Sequence, residues 1–151
     1  MRAVIQRVLS GKVHVNKAQI AKIHDGLLIL LGIDEFDTIE DLKYLVDKVI
    51  KMRILSDHNN KMNISIEESQ KELLIISQFT LFASTKKGNR PSYMRSAHTS
   101  KAKEMYERFI FECSERLPGK VQSGEFGAHM EVELINNGPV TIILDSKNKN
   151  Y

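Results

Sequence analysis

Leu27-Leu28-Ile29-Leu30-Leu31, followed by Gly32 and Ile33, is the longest apolar run in the chain and the hardest condition on its fold. A strand with no polar side has no face to offer water, so packed layers must cover it on both sides. Glu72–Phe82 makes a similar demand: from position 73 it runs Leu-Leu-Ile-Ile-Ser-Gln-Phe-Thr-Leu-Phe and reads as the strongest central strand. Shorter strands flank these two. Ala3, Ile5 and Arg7 alternate with Val4, Gln6 and Val8, and Val13 and Val15 repeat that period after a Ser10-Gly11 turn. Ile20–Ile23 is a third short strand, closed by the turn Asp25-Gly26.

Helical spacing supplies the covering layers. Thr38 and Asp41 resemble a capping box, and Leu42, Leu45, Val46, Val49 and Ile50 follow on one face. A second helix is expected over Thr99–Leu117, with Ala102, Met105, Tyr106, Phe109, Ile110, Cys113 and Leu117 as its buried stripe and Pro118-Gly119 as its stop. Ser56–Lys61 reads as a loop, and Ala83 to about Ser96 as a connection too long to be kept without a use. Near the end, Met130, Val132 and Leu134 alternate, Asn136-Asn137-Gly138-Pro139 interrupts, and Val140–Leu144 makes a last strand. The polar tail Ser146–Tyr151 is expected to fray. The 151 residues suit one α/β domain, an antiparallel-rich sheet or barrel-like core with two packed helices.

Several classes drop out. No stretch approaches the ~18–20 apolar residues of a membrane span. Arg7 interrupts the opening too early for a secretory leader, so a cytoplasmic location is expected. The single cysteine, Cys113, excludes an intrachain disulfide and sits on an apolar stripe as a core filler. The five histidines, His14, His24, His58, His98 and His129, are scattered without ligand spacing, so neither a metal site nor a cofactor is expected. Phosphate-loop, dinucleotide and nucleophile-elbow motifs are absent. A net charge of +3 is too small to argue for nucleic acid by itself.

Two segments remain unusual. Ser77-Gln78-Phe79-Thr80-Leu81 puts three hydrogen-bonding side chains into an otherwise apolar strand. A buried polar group without a partner costs about 1–3 kcal/mol, so these residues either serve a site or bond neighbouring backbone near the strand's end. Gly138-Pro139 belongs at an edge, a bulge or a turn, because proline cannot donate to a ladder. It is also a bond where the cis form costs only about 0.5–1 kcal/mol, though the residues by themselves favour a plain Asn-Asn-Gly-Pro hairpin turn.

Ser77–Leu81 and Asn136-Asn137-Gly138-Pro139-Val140-Thr141 together resemble the two motifs of the D-aminoacyl-tRNA deacylases. The resemblance spans nearly the whole chain. It takes in Arg2–Val8, Gly26–Gly32, Lys61-Met62-Asn63, Lys87-Gly88-Asn89-Arg90-Pro91-Ser92 and Gly124-Glu125-Phe126-Gly127-Ala128, in the family's order. One departure is Asn137, where the family more often carries aspartate.

The resemblance implies a homodimer with its active site at the subunit interface, hydrolysing the ester of D-aminoacyl-tRNA. Gly138-Pro139 would be cis and would project into the partner's pocket, both carbonyl oxygens aimed at the substrate's α-amino group. An L side chain would collide with this backbone, whereas glycine would partly escape the filter, so glycine mischarged on tRNA(Ala) is a further substrate. On the family pattern Arg7 fixes the Gly-Pro segment from across the interface. Ser77, Gln78, Phe79 and Thr80 form the catalytic strip, with backbone N–H groups near Phe79 and Thr80 for the oxyanion. Thr80 as nucleophile would need a base that the sequence does not supply, and the substrate's ribose hydroxyl is the favoured activator of water. Phe126, Gly127, Ala128 and Met130 resemble the wall for the terminal adenosine. Lys86, Lys87 and Arg90, with Arg95, Lys101 and Lys103 following, form a basic patch suited to tRNA phosphates. The competing readings are an RNA-binding module without catalysis and a deacylase of altered specificity.

Overall fold

The structure is a computed structural model and describes residues 1–150. In chain order, strand β1 is Arg2–Val15, β2 Ala18–Ile23 and β3 Gly26–Gly32, followed by helix α1, Ile39–Lys51. A small pair, β4 (Leu55–Ser56) and β5 (Met62–Ile64), and the one-turn helix α2 (Ile66–Ser69) lead into β6, Glu72–Ser77. A 3₁₀ turn over Phe79–Phe82, helix α3 (Thr99–Arg116), β7 (Val121–Ser123) and β8 (Glu131–Asp145) complete the chain. The segment expected as loop at Ser56–Lys61 is the bend of the β4–β5 pair, and α2 adds a third, short helix to the two foreseen.

The main sheet has the order β2-β1-β3-β6-β7, with β8 lying along the other side of β1. β1 pairs antiparallel with β2, β3 and β8, whereas β3–β6 and β6–β7 are parallel. A parallel join needs a crossover, and the two crossovers carry α1 and α3 onto one face. There Ala3, Ile5, Leu27, Ile29, Leu31, Leu73 and Ile75 meet Leu42, Leu45, Val49, Ile50, Met105, Phe109 and Cys113, all buried. Burial pushes the Cys113 thiol up to about 12, in keeping with an inert filler. On the other face the sheet curls until β2 approaches β6 and β7, nearly closing a barrel. Val8, Val13, Ala21, Ile23, Leu28, Leu74 and Ile76 fill it. The all-apolar β3 is thus covered on both sides, as its sequence demands.

Three expectations need correction. Ser10-Gly11 is not a turn, and β1 runs through it. Gly11 is there for packing: a Cβ would stand 3.2–3.4 Å from Leu74, Ile23 and Leu28. β8 is likewise one strand, not a hairpin, since both its halves pair with β1 in one direction. Finally, the start of the tail is docked. Ser146 is buried, its N–H donates to Met1 C=O (2.9 Å), and the Met1 amino group donates to Ser146 Oγ (2.6 Å) and to Asp37. Tyr151, the last residue of that tail, lies outside the described residues. Among the described residues, no helix is long and apolar enough to cross a membrane.

The tail also grips α1. Lys147 Nζ donates to Asp41 (2.6 Å), which also accepts the Thr38 N–H (2.8 Å) and thereby realises the expected cap. Burial alone would raise the Asp41 pKa, but Lys147 and the Thr38 N–H overcome it and hold the carboxyl well below the usual range. A depressed folded pKa contributes stability above the unfolded value of about 3.9, lost as pH falls through the folded value. Asp41→Asn should therefore be less stable than the parent at pH 7. That difference should shrink on acidification below about pH 4, as read by urea unfolding at each pH.

Candidate active site

The site is built where β6 runs out of partners. Its last ladder residue is Ser77, opposite Leu31, and Gln78 N–H still donates to Leu31 C=O (2.8 Å). β3 ends at Gly32, so the chain beyond Gln78 leaves the sheet and closes the 3₁₀ turn, where sequence periodicity had continued the strand to Phe82. Gly32 makes room for it: a Cβ there would stand 3.0 Å from Gln78 O and from Leu81 Cβ, and 3.2 Å from the Phe82 ring. The turn's first internal bond runs from Leu81 N–H to Gln78 C=O (3.3 Å), which leaves the N–H groups of Phe79 and Thr80 ahead of it. Gln78 Nε2 donates to Thr80 Oγ1. Phe79 is 58% exposed and meets Tyr93 edge-on, ring centres 5.1 Å apart.

Residues 124–130 form the facing wall. Gly124 N–H donates to Ile75 C=O (2.9 Å), tying this segment to β6. The buried Tyr106 hydroxyl reaches both Ile75 C=O (2.8 Å) and Gly124 C=O (3.2 Å), and burial raises its pKa, so it stays a neutral donor. Phe126 packs on the Tyr106 ring at 5.6 Å. At Gly124 a Cβ would come within 2.6 Å of Met130 Sδ, so a larger residue there would displace the Met130 side chain. The N-terminus of α3, with Ala97, His98 and Thr99, closes the third side. These walls enclose a cleft of about 700 Å³.

Of the residues singled out from sequence, Ser77, Gln78, Phe79, Phe126, Gly127, Ala128 and Met130 all line this cleft. Thr80 does not line it, and its hydroxyl is engaged by Gln78. Lys86, Lys87 and Arg90 are exposed on a loop pinned by reciprocal Ser84–Ser92 backbone bonds of 2.8 Å and do not line the cleft. The basic patch is smaller than its sequence implied, because Arg95 pairs with Asp34, Lys101 bonds Glu35 C=O and Lys103 pairs with Glu107. Tyr93, Ser96, His98 and His129 also line the cleft, and no motif in the sequence points to them. Nothing local distinguishes them, since they are brought in by the long connection and the 124–130 wall. Among the described residues, no cluster of three or more His, Cys, Asp or Glu is placed to hold a metal.

Gly138, Pro139 and Arg7 stand apart from the cleft of their own chain. The Gly138-Pro139 bond is cis. Between the pairs Gln6↔Thr141 and Val8↔Asn136 the partner strand offers only Arg7, so residues 137–140 arch out as a wide bulge. Asn136 spans its base. Its side chain accepts Val140 N–H (2.9 Å) and donates to Val140 C=O (3.2 Å) and Gln6 Oε1 (3.0 Å). Arg7 braces the arch by donating to Asn137 C=O (2.8 Å) and Ile54 C=O (2.9 Å). This contact is made within one chain, where the resemblance implied an approach from across an interface. Gly138 and Pro139 are left exposed at the crest.

The sequence profile of the D-Tyr-tRNA(Tyr) deacylase family matches residues 4–145. A protein of Thermosipho africanus named D-aminoacyl-tRNA deacylase is 53% identical over 147 residues, 97% of this chain and 98% of that one. A protein of the same name from Cytophaga hutchinsonii is 52% identical over 149 residues, 99% of each chain. Among solved structures, one titled c-Myc DNA Unwinding Element Binding Protein superposes with a TM-score of 0.92 at 37% identity, covering 96% of this chain and 98% of that one.

Asn136 carries the bulge through both backbone groups of Val140, so Asn136→Ala should destabilise the chain by about 1–3 kcal/mol. Urea unfolding measures the loss. A change below about 0.5 kcal/mol would mean that the arch holds without it.

Proposed function

This chain belongs to the D-Tyr-tRNA(Tyr) deacylase family, and we propose on that premise that it removes D-amino acids from tRNA by hydrolysing their ester in the cleft between Ser77–Phe79 and Phe126–Met130. The observation that carries this reading is the meeting of those two segments, about fifty residues apart in sequence, around one cavity of about 700 Å³. Water attacks the ester carbonyl, the bond to the ribose oxygen breaks, and that oxygen takes up the proton. The N–H groups of Phe79 and Thr80 supply the oxyanion donors, each of a kind worth about 2.7–4 kcal/mol. The substrate's vicinal ribose hydroxyl activates the water. The engagement of the Thr80 hydroxyl by Gln78 supports a positioning role for that side chain over a nucleophilic one.

Chirality is read by a second subunit. Gly138-Pro139 is exposed, braced and remote from its own cleft, the properties of a wedge meant for a neighbour's. β8 supports an interface as well. Its outer edge has no strand partner among the described residues, and Val132, Ile135 (56%) and Ile143, with Leu9 of β1 (52%), are exposed apolar residues. In the homodimer the Gly-Pro backbone takes the space an L side chain needs, while a D residue or glycine fits. Glycine mischarged on tRNA(Ala) is therefore cleared by the same site. Lys86, Lys87 and Arg90 hold the acceptor end by its phosphates, and among the described residues they form no ion pair. An enzyme of aminoacyl-tRNA works in the cytoplasm.

Purified protein incubated with D-tyrosyl-, L-tyrosyl- and glycyl-tRNA tests this. D-tyrosyl-tRNA should lose its ester at least about 100-fold faster than the L form, with glycyl-tRNA in between. Equal loss of both tyrosine enantiomers would remove the chiral wedge. Thr80→Ala should retain activity within about tenfold of the parent, whereas a nucleophile's loss costs several powers of ten. Sedimentation should give twice the chain mass.

A further inference from the structure

The 3₁₀ turn Phe79–Phe82 has left the sheet, so no ladder fixes the direction of its N–H groups. It is fastened by side chains instead. The Ser96 hydroxyl donates to Phe79 C=O (3.0 Å), and Arg2 Nη1 donates to Leu81 C=O (2.6 Å). The buried Phe82 ring has two guanidiniums against it, Arg2 at 4.9 Å and Arg95 at 5.5 Å from its centre. Arg95 is itself aimed by Asp34, through bonds of 2.9 and 3.2 Å to one carboxylate oxygen.

A peptide unit is planar, with its C=O and N–H pointing in opposite directions. Phe79 C=O and Thr80 N–H belong to one such unit. Whatever holds that carbonyl therefore sets the direction of that N–H. Ser96 is well placed to hold it, because its own segment is stapled to the end of β3. Ala97 N–H donates to Ile33 C=O (2.9 Å) and Glu35 N–H to Arg95 C=O (3.0 Å).

We infer that Ser96 is a positioning residue for ester hydrolysis, acting through the Phe79–Thr80 peptide, and that Arg95 supports the same turn through Phe82 and Asp34 instead of contacting tRNA phosphate. The inference rests on the proposed reading of the cleft as a deacylase site. The basic loop thereby has two ends with separate tasks. Lys86, Lys87 and Arg90 face the nucleic acid, and Arg95 and Ser96 hold the catalytic turn.

The test measures kcat and KM for D-tyrosyl-tRNA, with the salt dependence of kcat/KM, in Ser96→Ala, Ser96→Thr, Arg95→Gln and Arg95→Lys. Ser96→Ala should lower kcat about tenfold with KM within about twofold, since misdirected donors cost rate more than binding. Ser96→Thr restores the hydroxyl and should recover most of the rate. Arg95→Gln should lower kcat with an unchanged salt slope, and Arg95→Lys should recover part of it. A merely structural role would move the thermal midpoint without this split or the rescue. The proposal is overturned if Ser96→Ala keeps the parental kcat, or if Arg95→Gln raises KM and lessens the salt slope by about one, as loss of a phosphate contact does. A parent protein inactive on D-tyrosyl-tRNA would sink the deacylase reading and this proposal with it. An active parent with an unaffected Ser96→Ala would sink this proposal alone.

Discussion

Burial of both faces of β3 and β6 is the constraint from which the rest of the molecule follows. Leu27, Ile29, Leu31, Leu73 and Ile75 need one apolar layer, and Leu28, Leu74 and Ile76 need another. Parallel pairing of β3 with β6 answers the first need by bringing α1 across, and the step to β7 brings α3. Curling of the sheet answers the second. Each buried leucine or isoleucine is worth about 1.5–3 kcal/mol relative to exposure, so register in this pair is firmly set. That register decides where β6 loses its neighbour, and the site begins at that point.

Features governed by neighbours in sequence were legible. Helix α3 starts at Thr99 as expected, because the apolar stripe from Ala102 to Leu117 has one period throughout and Pro118-Gly119 stops it. The Thr38–Asp41 cap needs only the local spacing that helices impose. Misread features were those in which a distant element decides. Glycine at position 11 looks like a turn until Leu74 is known to lie on it. Asn-Asn-Gly-Pro makes either a hairpin or a bulge, depending on whether the strands flanking it pair with each other or share β1. The strand read through to Phe82 stops at Ser77 because β3 stops at Gly32, a fact no residue between 77 and 82 encodes.

The same division runs through the site. Ser77, Gln78 and Thr80 announce themselves as hydrogen-bonding side chains within an apolar run, and of these Ser77 and Gln78 line the cleft. A site role for Phe126, Gly127, Ala128 and Met130 is carried in the sequence only by the family resemblance. Their gathering against β6 rests on the Gly124 N–H bond to Ile75 C=O and on the buried Tyr106 hydroxyl, which looks in sequence like any other member of an apolar stripe. Asn136 is a similar case. It reads as a turn former, yet its amide takes the place of the ladder bonds that the arch at 137–140 forgoes.

That arch has a thermodynamic corollary for whatever it meets. Arg7 and Asn136 belong to the chain that bears it, so its shape is complete within the single chain. In the proposed homodimer, association then spends little conformational entropy on ordering the contact, and a stiff outcrop transmits misfit as a clash where a pliant one would yield. On the proposed reading, discrimination at such a point is steric from the first encounter and owes nothing to a closing motion.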